Sequence, residues 1–281
     1  MPKDYPSFIH NVSGPWHYYV NNSLALTQPL TDNKQHTPFD ALLSEQHIVA
    51  SSKFSHVYQA LLNDNETHTP VFVKQIHFKS AQDRIKQQFK NRAIKSFEAE
   101  NLLKEKGFGA PTTLAIGWQK NNTFKNSFFS ITEALNDHLD LYEIAKIFAQ
   151  TPRIEKREFI KQFARVIAEL HNSKIIHGDL RAGNVMCKKA STWTFSFIDN
   201  ERTKIYKKLP ERERIRNLVQ LNLIISPNIS TIDRQVFFNN YCQICFGKEN
   251  SELFEKVILK TKARLSKLLE KGRIKPSDLW L

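Results

Sequence analysis

The chain has 281 residues, of which 41% are hydrophobic, and it carries 41 Lys and Arg against 28 Asp and Glu. An apolar share of this size predicts a folded core and excludes an intrinsically disordered chain, and the length allows one large or two modest domains. Three cysteines are too few for a disulfide framework. The formal net charge of +13 predicts a surface that attracts polyanions or the anionic face of a membrane.

Targeting signals are not evident in the sequence pattern. No stretch reaches the roughly 18 consecutive apolar residues of a transmembrane helix, and the first six residues lack the apolar core of a secretory signal. We therefore expect cytoplasmic residence, with peripheral contact on the inner face of the cytoplasmic membrane as an option that the positive charge allows. We find no motif that reads bases, so we expect no specific nucleic-acid binding.

Hydrophobic periodicity and breaking residues predict the elements in chain order. Residues 1–40, rich in Pro, Asn and aromatic residues, predict an irregular extension rather than a domain. The remaining predictions are a hairpin at 48–58, strands at 71–76, 127–131, 185–187 and 194–198, and helices at 83–106, 153–173, 211–225 and 251–270. The helix at 153–173 is amphipathic, so its apolar face is expected to enter the core.

The most informative stretch lies between residues 175 and 201. Asp179 is followed five residues later by Asn184, and Asp199 stands at the end of a hydrophobic strand. Phosphoryl transfer uses this set of groups: one carboxylate orients the attacking hydroxyl, while an amide and a second carboxylate hold the Mg²⁺ that bridges the phosphates of ATP. Asp179 is therefore the candidate base, and Asn184 and Asp199 are candidate oxygen ligands of magnesium.

Two neighbours complete the candidate catalytic group. Arg181 follows Asp179 by two residues, which would place a cation near the transferred phosphoryl group. His177 is expected to be structural and to brace the loop from beneath. The alternative interpretation is that an Asp and an Asn on one loop merely form turns.

The pattern H-x-D-x-x-x-x-N from His177 to Asn184 resembles the protein-kinase-like superfamily, with His-Gly-Asp in place of His-Arg-Asp. Together with Ile-Asp-Asn-Glu-Arg at 198–202, the longer string is similar to the bacterial lipopolysaccharide kinases, the Kdo and heptose kinase family. The resemblance covers roughly residues 41–225. It implies an α+β, protein-kinase-like fold of two lobes, with a nucleotide-binding lobe of sheet plus helix at 41–135. A mostly helical lobe at 136–281 would carry the catalytic loop, the metal site and the acceptor site.

The same resemblance implies ATP and Mg²⁺ as cofactors and an ATP-dependent phosphotransferase activity on an alcohol group. The implied acceptor is an anionic glycolipid or sugar, namely Kdo or heptose of the lipopolysaccharide inner core. The positive charge of the chain agrees with an anionic acceptor, although a fold alone does not establish a substrate.

The resemblance also implies a lysine on a strand that binds the nucleotide phosphates, and a helix glutamate that holds this lysine. Lys74, in the predicted strand at 71–76, is the candidate. Glu98 fits the glutamate position better because it precedes the paired leucines of the next helix, and Glu100 is the alternative. Two residues apart on a helix is about 200°, so both cannot face Lys74.

Two further segments are assigned to the nucleotide. The hairpin at 48–58 would cover the phosphates with Ser51, Ser52 and Lys53, although it lacks the glycine that lets backbone N–H groups approach closely. The backbone of Glu133 to Leu135, after the strand at 127–131, is the candidate hinge that pairs with adenine.

Departures from the kinase pattern leave other functions open. Asp199-Asn200-Glu201 stands where Asp-Phe-Gly is usual, and neither an Ala-Pro-Glu motif nor an activation loop is recognisable. This counts against a regulated protein kinase of the eukaryotic type. The alternatives are a kinase of another small molecule or of protein serine, a catalytically inactive kinase-like scaffold, and a basic nucleic-acid-binding protein.

Overall fold

The computed structural model describes residues 7–22, 37, 39–51, 55–64, 67–77, 92–119 and 127–279. The chain forms two compact units, one of residues 1–100 and 111–135 and one of residues 101–110 and 136–281. In the described ranges, no helix is long and apolar enough to cross a membrane. The protein is a mixed α and β structure with one large antiparallel sheet and six α-helices in these ranges.

A seven-stranded sheet forms the first unit. Its strands are β1 (Phe8–Ser13), β2 (Trp16–Asn21), β3 (Leu43–Ser51), β4 (Ser55–Asp64), β5 (Thr67–His77), β6 (Thr113–Gln119) and β7 (Ser127–Glu133). They lie in the order β1-β2-β6-β7-β5-β4-β3, and every neighbouring pair is antiparallel. The predicted strands at 71–76 and 127–131 are thus confirmed, and the structure shows that both are inner strands.

The first two strands correct one expectation. Residues 8–21 form the β1–β2 hairpin, and β2 pairs with β6, so the prediction of an irregular extension over 1–40 is wrong for this segment. The hairpin turns at Gly14, whose φ of 54° suits glycine. Tyr18 packs into the core on one face of the sheet and Tyr19 into the core on the other.

Both faces of the sheet carry apolar clusters. Val71 and Val73 of β5 belong to the cluster on one face. Ile76 packs on the opposite face, with Ala93 and Phe97 of helix α1 (Arg92–Glu105). Because side chains alternate along a strand, Lys74 lies on the same face as Ile76, which is the face that carries α1.

Helices dominate the second unit. They are α2 (Leu141–Ile147), α3 (Arg153–Asn172), α4 (Glu211–Asn222), α5 (Thr231–Phe246) and α6 (Ser251–Glu270). Short strands accompany them, namely β8 (Leu139–Asp140), β9 (Ile175–Ile176), β10 (Val185–Lys189), β11 (Trp193–Phe197) and β12 (Lys204–Ile205). These strands form one sheet in the order β11-β10-β8 and a second that pairs β12 with β9.

Helix α3 is central to the core of this unit. Its buried face includes Phe159, Phe163 and Ile167, which confirms the predicted amphipathic helix at 153–173. The predicted helices at 211–225 and 251–270 correspond to α4 and α6. The structure adds α5, which the sequence prediction missed.

Local signals for α5 were nevertheless present. Ser230 and Asp233 form a reciprocal capping box at its start, and Gly247, at φ 68°, ends it in the left-handed conformation. Its buried face contains Arg234 and Tyr241, so the apolar periodicity that reveals a helix is interrupted there.

Candidate active site

The candidate catalytic loop begins where the buried strand β9 ends. Ile176 of β9 pairs with Lys204 of β12, and the chain then runs through residues 177–181 into a 3₁₀ turn at Ala182–Asn184. Leu180 is fully buried and anchors this loop in the core. Asp179 precedes Leu180 and Asn184 follows it, and both are half-buried, so their side chains remain accessible.

A hairpin brings Asn184 to the level of Asp199. Val185 of β10 pairs with Phe197 of β11. The register is continued by the N–H of Ile198, which donates to the carbonyl of Asn184 at 3.1 Å. Asp199 follows directly, so the hairpin places the two predicted magnesium ligands at the same end of the two strands.

The imidazole of His177 links these segments from a fully buried position. Its Nδ1 accepts a hydrogen bond from the N–H of Asp179 at 3.2 Å, and its Nε2 lies 3.0 Å from the carbonyl of Ile198. Since Nδ1 accepts, Nε2 must carry the proton and donate. Burial lowers the pKa of His177, so this neutral tautomer persists. The ring therefore holds the loop to the residue before Asp199.

The amide of Asn184 is oriented by the same loop. Its Nδ2 donates to the backbone carbonyl of Asp179 at 2.8 Å. The amide nitrogen is thereby used inside the loop, and Oδ1 is the atom through which Asn184 could bind a cation. A neutral oxygen of this kind suits a hard divalent ion such as magnesium.

Asp199 adopts a left-handed backbone conformation, with φ 58° and ψ 47°. Asp and Asn enter this region more readily than branched residues do. The conformation turns the chain from β11 into the 3₁₀ helix at Asn200–Arg202. Asp199 thus supplies a carboxylate at a position where a β-branched residue would be strained.

The carboxylate of Asp179 receives two donors. Arg181 donates to Oδ2 at 2.6 Å, and the side-chain amide of Gln220 on α4 donates to Oδ1 at 3.2 Å. The Arg181 side chain is 61% exposed, whereas that of Asp179 is 17% exposed. Asp179 is therefore held from the solvent side by an exposed cation and from the protein side by a residue of helix α4.

A model of the lipopolysaccharide kinase (Kdo/WaaP) family matches residues 54–241. The chain belongs to this family. The matched segment includes the catalytic loop and both predicted magnesium ligands, and the resemblance stated from the sequence is confirmed.

Comparison with solved structures shows a shared fold. The chain is similar to a structure described as WaaP in complex with acyl carrier protein, with 20% sequence identity and a TM-score of 0.56. The similarity covers 84% of this chain and 91% of the WaaP chain, so the two proteins share a fold over most of their length. No curated protein matches the chain.

Lys74, the predicted phosphate lysine, lies in the centre of the large sheet. It pairs with Val57 of β4 and Ser130 of β7. The side chain is half-buried on the face that carries α1. An inner strand gives a lysine a rigid base, and this is the placement that the sequence predicted.

The two candidate glutamates of α1 have different surroundings. Glu100 is buried, accepts a hydrogen bond from Ser96 at 2.9 Å, and accepts another from the hydroxyl of Thr113 on β6. Glu98 is half-buried on another side of the helix. Glu100 shares the buried, sheet-facing side of α1 with Ala93 and Phe97. The choice between Glu98 and Glu100 as the partner of Lys74 stays a prediction.

The predicted hinge uses part of its backbone inside the first unit. The N–H of Glu133 donates to Thr112, and the N–H of Ala134 donates to Pro70, both at 2.9 Å. Of the three residues of the predicted hinge, Leu135 is the one whose N–H group forms neither of these hydrogen bonds. β3 pairs with β4 in antiparallel fashion. Of the predicted phosphate contacts, Ser52 and Lys53 fall outside the described residues, and of Ser51 the structure describes only the backbone, in β3.

A hydrogen-bonded network behind the catalytic loop was missed from the sequence. Asn217 and Gln220, three residues apart on α4, both face the loop, and Asn217 Nδ2 donates to the carbonyl of His177 at 2.7 Å. Asn217 is fully buried. The sequence carried one signal of this network. The amide residues Asn217 and Gln220 interrupt the apolar face of α4, which is formed by Ile215, Leu218 and Leu221.

An apolar cavity lies elsewhere in the second unit. Its lining includes Ile144, Phe148, Phe163, Leu221 and Phe238. Phe148 also lines an adjacent depression that contains basic side chains of α3. None of the residues predicted for the catalytic site lines this cavity.

Proposed function

We propose that the protein is an ATP- and Mg²⁺-dependent kinase that phosphorylates a sugar hydroxyl, Kdo or heptose, of the lipopolysaccharide inner core. Membership of the Kdo/WaaP family supports a sugar-kinase role in the lipopolysaccharide core. The observation that carries the proposal is the loop in which Asn184 donates to Asp179 while His177 ties the same loop to the residue before Asp199.

Asp179 is the proposed base. Its carboxylate would accept the hydrogen bond of the sugar hydroxyl and then its proton. The sugar oxygen would form its bond to the γ-phosphorus as the bond to the β,γ-bridging oxygen breaks, so that ADP leaves. Arg181, ion-paired with Asp179 at 2.6 Å, would stabilise the charge on the transferred group.

Asn184 through Oδ1 and Asp199 through its carboxylate are the proposed holders of magnesium. These donors fit the ion because both are hard oxygen ligands and the Asn184 nitrogen is already engaged by Asp179. When bound, magnesium would neutralise negative charge on the phosphates of the nucleotide.

The first unit is proposed to bind the nucleotide and to correspond to the smaller kinase lobe. Lys74 would bind the phosphates, with Glu98 as its partner, and the N–H of Leu135 would be available to adenine. The second unit would correspond to the larger lobe. Ser51, Ser52 and Lys53 remain proposed as phosphate contacts. Residence in the cytoplasm, with contact to the inner face of the membrane, follows from the proposed acceptor.

The test is transfer of labelled γ-phosphate from ATP to purified lipopolysaccharide. One acceptor ends in Kdo and a second carries heptose. Wild type is compared with Asp179→Asn and with Asp137→Asn, a matched control whose carboxylate is 82% exposed. We expect transfer to one acceptor, a loss of about 100-fold or more in Asp179→Asn, and no loss in the control.

Other outcomes separate the alternatives. ATP hydrolysis that needs Asp179, without transfer to either acceptor, would retain the kinase and reject the glycolipid. Neither hydrolysis nor transfer would favour an inactive scaffold. Transfer that is equal in wild type and Asp179→Asn would reject Asp179 as the base.

A second candidate concerns a partner. The solved WaaP structure contains acyl carrier protein, and we propose that this chain binds an acylated carrier protein as well. Two observations favour it: the apolar cavity could take an acyl chain, and Arg153, Arg157 and Lys161 line adjacent depressions, where they could meet an acidic protein.

A thermal-shift experiment tests this partner. Acylated carrier protein is expected to raise the melting temperature of the wild type, and the unacylated form is expected to do so less. Arg157→Glu should weaken the shift. Lys267→Glu, at another exposed basic residue that lies on α6, should not. An equal shift with both forms of the carrier protein would contradict a role for the cavity.

A further inference from the structure

Gln220 bridges helix α4 and the catalytic loop through both ends of its amide. Its Oε1 accepts a hydrogen bond from the N–H of Leu180 at 3.2 Å, and its Nε2 donates to Oδ1 of Asp179 at 3.2 Å. One side chain thus fixes both the backbone that follows the proposed base and the base carboxylate itself.

The orientation of Gln220 is set by its neighbour one turn earlier on the helix. Asn217 Nδ2 donates to Oε1 of Gln220 at 3.1 Å. Because Oε1 accepts from both Asn217 and Leu180, the NH₂ group of Gln220 must point to Asp179. The amide therefore presents a donor to the carboxylate.

Asn217 is oriented in turn from the core. Its Oδ1 lies 3.2 Å from Nε2 of His171, whose Nδ1 lies 2.7 Å from the hydroxyl of Tyr241. Arg214 donates to that hydroxyl at 2.6 Å. Since Asn217 offers an oxygen, His171 donates through Nε2 and accepts from Tyr241. Every donor in this series of hydrogen bonds, from Arg214 onwards, therefore points towards Asp179.

Gln220 is the more firmly held of the two side chains that contact the Asp179 carboxylate. Arg181 is more than half exposed, and solvent-exposed ion pairs contribute little because the side chain must be ordered and the charges are screened. Gln220 is half-buried, on a helix, and held by a fully buried neighbour. The carboxylate plane of Asp179 is therefore set mainly from the protein side.

We propose that Gln220 is a positioning residue for phosphoryl transfer: oriented by Asn217 and, through it, by His171 and Tyr241, it holds the Asp179 carboxylate in the rotamer that accepts the substrate proton. The inference rests on the proposed kinase function. A base displaced by about 1 Å can lower the rate by about 100-fold, which is the scale of effect that this contact controls.

The chain offers a matched control in Gln162 on α3. Its Oε1 accepts from the backbone N–H of Trp193, and its Nε2 donates to the carboxylate of Glu158, both at 3.0 Å. Gln162 thus loses the same kinds of hydrogen bond as Gln220 when either is replaced by Leu. It is also half-buried, and both of these hydrogen bonds are to residues outside the candidate catalytic loop.

The experiment compares Gln220→Leu, Gln220→Glu and Gln162→Leu in phosphate transfer. Gln220→Glu keeps the acceptor for Leu180 and loses the donor to Asp179. We expect both Gln220 variants to lower kcat by about 10- to 100-fold with KM for ATP within about twofold, and Gln162→Leu to stay within about twofold of wild type. Wild-type kcat in Gln220→Glu, or an equal loss in Gln162→Leu, would overturn the proposal.

A second readout does not depend on activity. Hydrogen exchange of the Leu180 amide should be about tenfold faster in Gln220→Leu and near wild type in Gln220→Glu and Gln162→Leu. If wild type transfers no phosphate, the proposed function fails, and exchange still decides whether Gln220 holds the loop. Unchanged exchange in Gln220→Leu would overturn its positioning role.

Discussion

Gly178 packs so closely against Arg202 that no side chain fits between them. A Cβ atom on Gly178 would overlap with the Cβ and the carbonyl group of Arg202. Since the φ of Gly178 is not left-handed, the restriction is one of space rather than of backbone conformation. This contact explains why the motif reads His-Gly-Asp here: an arginine at the middle position would displace the residues that follow Asp199.

Gly178→Ala is therefore expected to destabilise the second unit by about 1–3 kcal/mol, because the overlap is with backbone atoms that cannot move aside. Chemical denaturation measures this free energy. Gly183→Ala is the control, since a Cβ there would lie 3.6 Å from the ring of Tyr142, an ordinary contact. Equal stability of the two variants would contradict the steric reading of the motif.

The second prediction concerns the pH dependence of stability. Burial lowers the pKa of His171 to about 3. The hydrogen bond to Asn217 favours the charged form, but its effect on the pKa is smaller than that of burial. The unfolded chain binds a proton at this histidine below about pH 6.5, and the folded chain does not. The stability of the folded state therefore falls as the pH drops from about 6.5 towards 3, at about 1.4 kcal/mol per pH unit for this group.

His171→Gln removes this titration. The difference in unfolding free energy between wild type and variant should be constant above about pH 7 and should fall by about 1 kcal/mol per unit below about pH 6. Urea denaturation at several pH values measures it. A difference that stays constant down to pH 5 would show that His171 is not held neutral.

The third prediction concerns magnesium. Asp199→Asn keeps a residue that tolerates the left-handed conformation, so the fold should survive while one charged ligand is lost. We expect the Mg²⁺ concentration for half-maximal transfer to rise about tenfold or more. Asp137→Asn is the control because its carboxylate is solvent-exposed. An unchanged magnesium requirement in Asp199→Asn would reject Asp199 as a ligand.

The fourth prediction concerns the link between α3 and α5. Asp233 accepts from the N–H of Ser230 at 2.8 Å and forms an ion pair with Lys156 at 2.5 Å. Burial alone would raise the pKa of Asp233, but hydrogen bonds from Lys156 and Ser230 hold it below the ordinary value. The stabilisation is present above the ordinary pKa of an aspartate and is lost as the pH falls through the lowered value.

Asp233→Ala should cost about 1–3 kcal/mol at neutral pH, because it removes half of the capping box and leaves Lys156 without its carboxylate. Asp137→Asn should change stability by less than about 0.5 kcal/mol, because it removes only an exposed ion pair and keeps a residue that tolerates the left-handed backbone there, at φ 58°. Thermal or chemical denaturation at neutral pH compares the two. If the variants are equally stable, the capping box and the ion pair contribute nothing measurable.

Elements with a strong local signal could be predicted from the sequence. Helix α3 has an unbroken apolar face, and the strands on either side of the turn at residues 190–192 lead out of Asn184 and into Asp199. The family followed from residues 177–184 and 198–202 because a catalytic loop concentrates its chemistry in a short segment. These predictions needed no knowledge of distant contacts.

Elements that depend on distant contacts were missed. Strand β2 is covered on both faces of the sheet, so Trp16, Tyr18 and Tyr19 are all buried and no alternation marks the strand. The surroundings of Glu100 depend on Thr113, which belongs to another element. The contact of Gln220 with Asp179 joins residues 41 positions apart, and a single sequence carries no direct signal of such a pairing.

The hydrogen bonds from Arg214 to Asp179 all run in one direction, which restricts the side chains that each position of the series can accept. Turning over the amide of Asn217 or of Gln220 would place oxygen against oxygen or NH₂ against NH₂, so each member dictates the hydrogen-bonding polarity of the next. A change at Tyr241 is thus felt at His171, and a change at His171 is felt at Asn217. A substitution at one of these positions alone would therefore leave a neighbouring buried polar group without its partner, at a cost felt along the whole series.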